Sequence, residues 1–146
     1  ELAHRLLYVK GDTVFNESFA TAVEQEGIQR WLAVSQAPSG YHDYLKQYDR
    51  QQAFVHLVLR YRQMLESAYR SNASDQQKRE KKAALISNLR YGFERLKSAD
   101  NGLSAYGDWI NDSLNNAKIS SVSAYHDFVP AFQALLARHR GDLTQF

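Results

Sequence analysis

Between Pro38 and Pro130 the chain contains no proline, and over much of that span apolar residues recur at alternating gaps of three and four. Proline breaks a helix by removing a backbone donor and clashing with the preceding turn. A long proline-free stretch with this spacing therefore predicts long helices, and the expected fold is all-α. From about Asp43 to Arg70 the pattern is carried by Phe54, Val58, Tyr61, Leu65 and Ala68, and from about Ser74 to Lys97 by Ile86, Leu89, Phe93 and Leu96. Only Ser71-Asn72-Ala73 separates the two stretches, so they should reverse into a long antiparallel hairpin with these stripes facing each other. Ser74 with Gln77 fits a capping box.

Upstream, Glu1 to Val9 reads as a first helix ended at Lys10-Gly11-Asp12, where Gly11 suits a left-handed cap. Asn16 is expected to cap a second helix, whose stripe of Ala20, Val23, Gly27, Trp31 and Val34 ends before Pro38-Ser39-Gly40. Downstream, Asp100-Asn101-Gly102 and Gly107 mark turns. Asp108 to Ala124 then reads as a helix, and Val129 to His139 as a short last one with Pro130 in its first turn. The charged run Asp75 to Lys82 reads as a solvated helix face rather than a docking patch. Trp31 and Trp109 are assigned first to the core.

Composition narrows the function classes. The chain has 146 residues, of which 44% are hydrophobic and 23% charged, the balance of one folded helical domain spanning 1–146. Eighteen Lys+Arg against sixteen Asp+Glu leave +2, without the basic excess that binding a phosphate backbone needs, so nucleic acid is not an expected partner. With no cysteine, any metal must be held by histidine and carboxylate. No apolar run approaches the roughly 18 residues needed to cross a bilayer.

The residues that could carry chemistry lie near the start. Glu1 and His4 are three apart and share a helix face, and Glu17 opens the next helix after a reversing loop. Such an arrangement can bring Glu17 beside His4, supplying the nitrogen and oxygen donors of a hydrolytic zinc site. A second histidine is missing from this set, and the position it would occupy immediately precedes Glu1. Because the chain begins without Met, inside a helix with no cap before it, it reads as a fragment of a longer chain.

Glu1-Leu2-Ala3-His4 resembles the last four residues of a His-Glu-x-x-His motif, and Asn16-Glu17-Ser18-Phe19-Ala20 resembles the Asn-Glu-x-x-Ala segment of gluzincin metallopeptidases. Tyr8-Val9-Lys10-Gly11-Asp12-Thr13, Asn115-Asn116-Ala117 and Tyr125-His126-Asp127-Phe128-Val129-Pro130-Ala131-Phe132 extend the resemblance to a family classed as zinc aminopeptidases of the bacterial cell envelope. It covers Glu1 to about Leu136. The resemblance implies zinc as cofactor, with His4 and Glu17 as metal ligands and Glu1 as general base on a zinc-bound water. It makes Tyr125 or His126 the candidate donor to the oxyanion, a peptide the substrate, and the envelope or periplasm the location, with a lipid anchor upstream.

Other readings accompany each residue. Asn16 suits a helix cap better than a ligand, Glu17 would favourably meet a helix dipole without any metal, and Tyr125 and His126 suit a core. A chain that truly began at Glu1 would lack one ligand and is expected to be inactive by itself. The rival from another class is a non-enzymatic helical scaffold or binding domain that works through its long hairpin. A zinc hydrolase acting on something other than peptides is the third reading.

Overall fold

The computed structural model describes residues 2–35 and 38–146, the side chains of Pro38 and Ser39 excepted. The fold is all-α, with no strand among the described residues. Among the described residues a short 3₁₀ turn, Ala3–Arg5, precedes six helices: α1 Thr13–Val34, α2 Pro38–Arg70, α3 Asp75–Ala99, α4 Gly107–Asn111, α5 Asn116–His126 and α6 Val129–Arg138, with a second 3₁₀ turn, Asn101–Tyr106, before α4. Spatial contacts divide the chain into two compact units, Glu1–Asp43 with Ser123–Phe146, and Tyr44–Val122.

In the Tyr44–Val122 unit the two long stripes meet as the periodicity predicts. Phe54, Val55, Val58 and Leu65 of α2 are buried with Leu85, Leu89 and Phe93 of α3, and Leu103, Ile110 and Ile119 close the cluster. Val58, Leu89, Phe93 and Ile110 are fully buried, and each such side chain contributes about 1.5–3 kcal/mol of hydrophobic transfer energy. A Cβ on Gly92 would come within 3.1 Å of Leu57 Cδ1, so glycine at this position lets the two helices approach closely. Trp109 packs on the cluster edge-on to Phe54 at 5.2 Å, a core role as expected.

The caps follow local chemistry. The Ser74 hydroxyl accepts from Gln77 N–H and the Gln77 side chain accepts from Ser74 N–H, the expected reciprocal box, which typically contributes about 1 kcal/mol. Asn115 Oδ1 accepts from Lys118 N–H at 2.9 Å and starts α5, while Asn116 Oδ1 accepts from the Tyr69 hydroxyl at 3.2 Å. The expected helix over Asp108 to Ala124 is therefore two helices, broken at residues 112–115, with the second initiated by Asn115.

The other unit departs further from expectation. Residues 2–9 do not form an α-helix, so the expected pair of site-bearing helices is a 3₁₀ turn set against one helix. The cause is Asn16. In a continuing helix the Val9 N–H would bond to the carbonyl four residues earlier. Here it bonds instead to Asn16 Oδ1 at 2.8 Å, and Asn16 Nδ2 donates to the Val9 carbonyl at 2.8 Å. Asn16 is thus no cap: it is buried, and Asp12 caps α1 by accepting from Phe15 N–H at 2.9 Å. Gly11 does adopt the left-handed conformation expected of it, with φ 87°.

The buried face of α1 also differs from the expected stripe. Trp31 is 64% and Val34 80% exposed, while Asn16, Ser18, Phe19, Ala22, Gln25 and Leu32 are buried. Three of these, Asn16, Ser18 and Gln25, are polar side chains with partners of their own, so hydropathy alone points to the wrong side of the helix. Pro38, expected to end a helix, begins α2, a position where its missing N–H costs nothing.

Candidate functional site

The site in the Glu1–Asp43 and Ser123–Phe146 unit is built from the foot of α1 outward. Phe19 and Ala22 form a buried patch with Ala3 and Phe132, joined at its edge by Phe15 and Phe146. The ring of Phe132 lies edge-on to Phe15 at 5.1 Å and to Phe19 at 5.5 Å, and Phe146 stacks on Phe19 at 5.7 Å. Burial of Ala3 pins the 3₁₀ turn to α1 from one end, and the bonds between Asn16 and Val9 pin the segment after it from the other. Between these anchors, His4 is brought over Glu17.

The two side chains meet through His4 Nε2 and Glu17 Oε1, 3.8 Å apart and both partly shielded from solvent. Zinc bonds of about 2.0–2.2 Å to nitrogen and oxygen, at a tetrahedral angle, would set two such donors roughly 3.4 Å apart. The pair thus needs to close by only a few tenths of an ångström to share a metal, and its donor types are those zinc takes. The ring of His4 packs edge-on to Tyr8 at 5.9 Å. Its Nδ1 is buried without a hydrogen-bond partner among the described residues, so none of them supplies the contact that ordinarily orients a metal-bound imidazole through its second nitrogen. Among the described residues no group of three or more His, Cys, Asp or Glu side chains gathers around one point. His4 and Glu17 are therefore two donors of a set that the described residues do not complete. Glu1, expected as the general base, lies outside the described residues.

Ser18, which the motif reading passed over as a variable position, ties the second recognisable segment to the first. Fully buried, it donates to the Ala124 carbonyl at 3.3 Å and accepts from Phe128 N–H at 3.2 Å. Those two contacts bracket Tyr125 and His126 and hold the turn from α5 to α6 against the first turns of α1, one residue from Glu17. Gln25 and Gln133 repeat the device farther along, where Gln133 Nε2 of α6 donates a hydrogen bond to Gln25 Oε1 of α1 at 2.9 Å. The only signal in sequence for either residue was a polar side chain on a helix that also had to bury aromatics.

Tyr125 is 48% exposed, so it is not a core residue. His126 is half-buried, and that burial lowers its pKa below the ordinary histidine value, with the neighbouring Asp127 carboxylate opposing the shift. Near neutral pH its imidazole is therefore uncharged and offers one N–H donor. Asp127 in turn accepts from the Ser123 hydroxyl.

No curated protein and no solved structure gives a match to this chain. A family model described as "Putative aminopeptidase" matches residues 1–146, and the chain belongs to that family.

Proposed function

We propose that this chain carries part of the active site of a zinc-dependent peptidase that removes residues from the free N-terminus of peptides, with His4 and Glu17 as metal ligands. The observation that carries this reading is the approach of His4 Nε2 to Glu17 Oε1 at 3.8 Å from two separate elements. Bound zinc supplies a Lewis acid at the scissile carbonyl.

The chain's own residues have distinct tasks in this reading. His4 offers a neutral imidazole nitrogen and Glu17 a carboxylate oxygen, and Asn16 and Ala3 keep the first where the second can meet it. Glu1, by its place in the motif, accepts the proton of the attacking water and returns it to the leaving amine. Ser18 fixes the turn that bears Tyr125 and His126, either of which could donate a hydrogen bond to the oxyanion. The exposed phenol of Tyr125 is the freer of the two to reach a substrate.

The experiment uses the full-length protein, measuring zinc content by elemental analysis and release of N-terminal residues from unblocked and N-acetylated peptides. The expected result is one zinc per chain, cleavage of unblocked peptides only, and loss of both zinc and activity in His4→Ala and Glu17→Ala. Glu1→Gln should keep the metal and lose activity. Full activity in Glu17→Ala, or a zinc content unchanged by both ligand substitutions, would overturn the assignment.

A further inference from the structure

Two concavities open on one side of the α2–α3 hairpin. The first, about 810 Å³, lies toward the connecting turn and is lined by Met64, Ala68 and Leu85 together with Arg60, Lys78 and Lys81. The second, about 660 Å³, lies toward the other end of the hairpin, lined by Leu57, Tyr61, Tyr91 and Leu96 with Arg60 and Arg95. At 3.6 residues per turn, Ala53, Leu57, Arg60, Met64, Ser67 and Ser71 fall on one side of α2. Lys78, Lys81, Leu85, Gly92 and Leu96 fall likewise on one side of α3. The two concavities are therefore the ends of a single furrow that shares Arg60. Ala53 to Ser71 measures about 27 Å at 1.5 Å per residue.

The charge along this furrow is one-sided. Neither concavity is lined by an aspartate or a glutamate. Arg30, Arg50, Arg70, Lys97 and Lys118 are each paired with a carboxylate, whereas Arg60, Lys78, Lys81 and Arg95 enter no ion pair among the described residues. Of the carboxylates on these helices, Glu66 and Glu94 are engaged by Arg70 and Lys97, and Asp43, Asp49, Asp75 and Glu80 line neither concavity. On a chain of net +2, four uncompensated cations beside apolar side chains, two of them Met64 and Tyr91 at 37% and 67% exposure, make a local feature that the overall charge conceals. Lys78 and Lys81 belong to the charged run that reads from sequence as a merely solvated face.

We propose that this furrow seats an amphipathic helix of a partner polypeptide, about five turns long, with an apolar stripe flanked by carboxylates. A groove between two antiparallel helices is the natural seat of a third, whose side-chain ridges fill it. Here the apolar residues would receive the stripe while Arg60, Lys78, Lys81 and Arg95 meet acidic flanks. A bilayer surface fits less well, because the apolar residues and the cations line a concave furrow between two helices and not a convex face. A nucleic acid would leave the leucines and Met64 without partners.

The test titrates the full chain into a fluorescein-labelled, N-acetylated helical peptide of 18 residues with a leucine stripe and glutamate flanks, followed by anisotropy. A second peptide carries lysine at every glutamate position, and the acetyl group protects both from exopeptidase trimming. Saturable binding of the glutamate peptide is expected, weakened by added salt. The lysine peptide, and the Arg60→Glu/Lys81→Glu and Arg95→Glu variants against the glutamate peptide, should each bind at least about tenfold more weakly. Arg60, Lys81 and Arg95 are exposed, so far-UV circular dichroism should match the unsubstituted chain. Equal affinity for both peptides, no saturable binding, undiminished binding by either charge-reversed variant, or tighter binding to phosphatidylglycerol vesicles or a single-stranded oligonucleotide would overturn the proposal.

Discussion

Replacing Asn16 with alanine tests how the candidate site is held together. The side chain is 2% exposed and makes two hydrogen bonds of 2.8 Å to the backbone of Val9. A net value of about 1 kcal/mol for each gives a loss of about 2 kcal/mol. Orphaning both Val9 groups from any partner would cost more, but Val9 is 41% exposed, so water can replace Asn16. The loss should fall mainly on the segment between the 3₁₀ turn and α1, since neither bond reaches the rest of the chain. At about 1.4 kcal/mol per factor of ten, the open state of that segment becomes about 30-fold more populated. Hydrogen exchange reads this directly: the Val9 amide, the donor in one of the two bonds, should lose about that factor of protection while amides in the middle of α3 keep theirs. Asn16→Asp retains the acceptor but sets a carboxylate oxygen against the Val9 carbonyl in a buried position, and should cost at least as much as Asn16→Ala. Unchanged Val9 protection, or an equal loss throughout α1 and α3, would refute the idea that Asn16 acts as a local clamp on the His4 segment.

Three further outcomes follow from contacts of the same kind. Ser18→Ala removes both bonds to the α5–α6 turn and should cost about 1–2 kcal/mol, read as a lowered urea midpoint with far-UV circular dichroism retained. His126 has a folded-state pKa depressed by burial, so below the ordinary histidine value of 6.5 the unfolded chain takes up a proton that the folded chain resists. Its contribution to stability therefore falls as pH drops from 6.5 toward the folded value, and urea titrations of His126→Gln should show a shallower acid decline than those of the unsubstituted protein. Gly102→Ala would bring a Cβ within 2.1 Å of Arg50 Cζ and displace that guanidinium from Asp100, which it now holds through bonds of 2.7 and 2.9 Å. The Asp100 pKa, lowered chiefly by its hydrogen bonds to Arg50, should rise toward the ordinary aspartate value in an NMR titration of that variant.

The hairpin was legible in sequence because its stabilisation is hydrophobic and periodic. Phe54, Val58, Leu65, Leu89 and Phe93 alternate at helical gaps and are all buried, and the Ser74–Gln77 box is a local motif that needs no tertiary information. The site-bearing unit was harder to read because polar side chains organise it. Asp12 and Asn16 are both competent caps by composition, and only the position of Val9 decides that Asp12 caps α1 while Asn16 clamps the preceding segment. Ser18 and Gln25 occupy the buried face of α1 and find partners at Ala124, Phe128 and Gln133, more than a hundred residues away in sequence. No window along the chain contains those pairings. The approach of His4 to Glu17 was anticipated from motif spacing alone, although the element bearing His4 is a 3₁₀ turn and not the expected α-helix.

That approach is also where the functional reading is most exposed to test. Crystals of the full-length protein grown with zinc and measured on both sides of the zinc absorption edge should give an anomalous peak bonded to His4 Nε2 and a Glu17 carboxylate oxygen at about 2.0–2.2 Å. A zinc peak elsewhere, or a zinc-loaded crystal in which His4 and Glu17 face each other with no metal between them, would contradict the account.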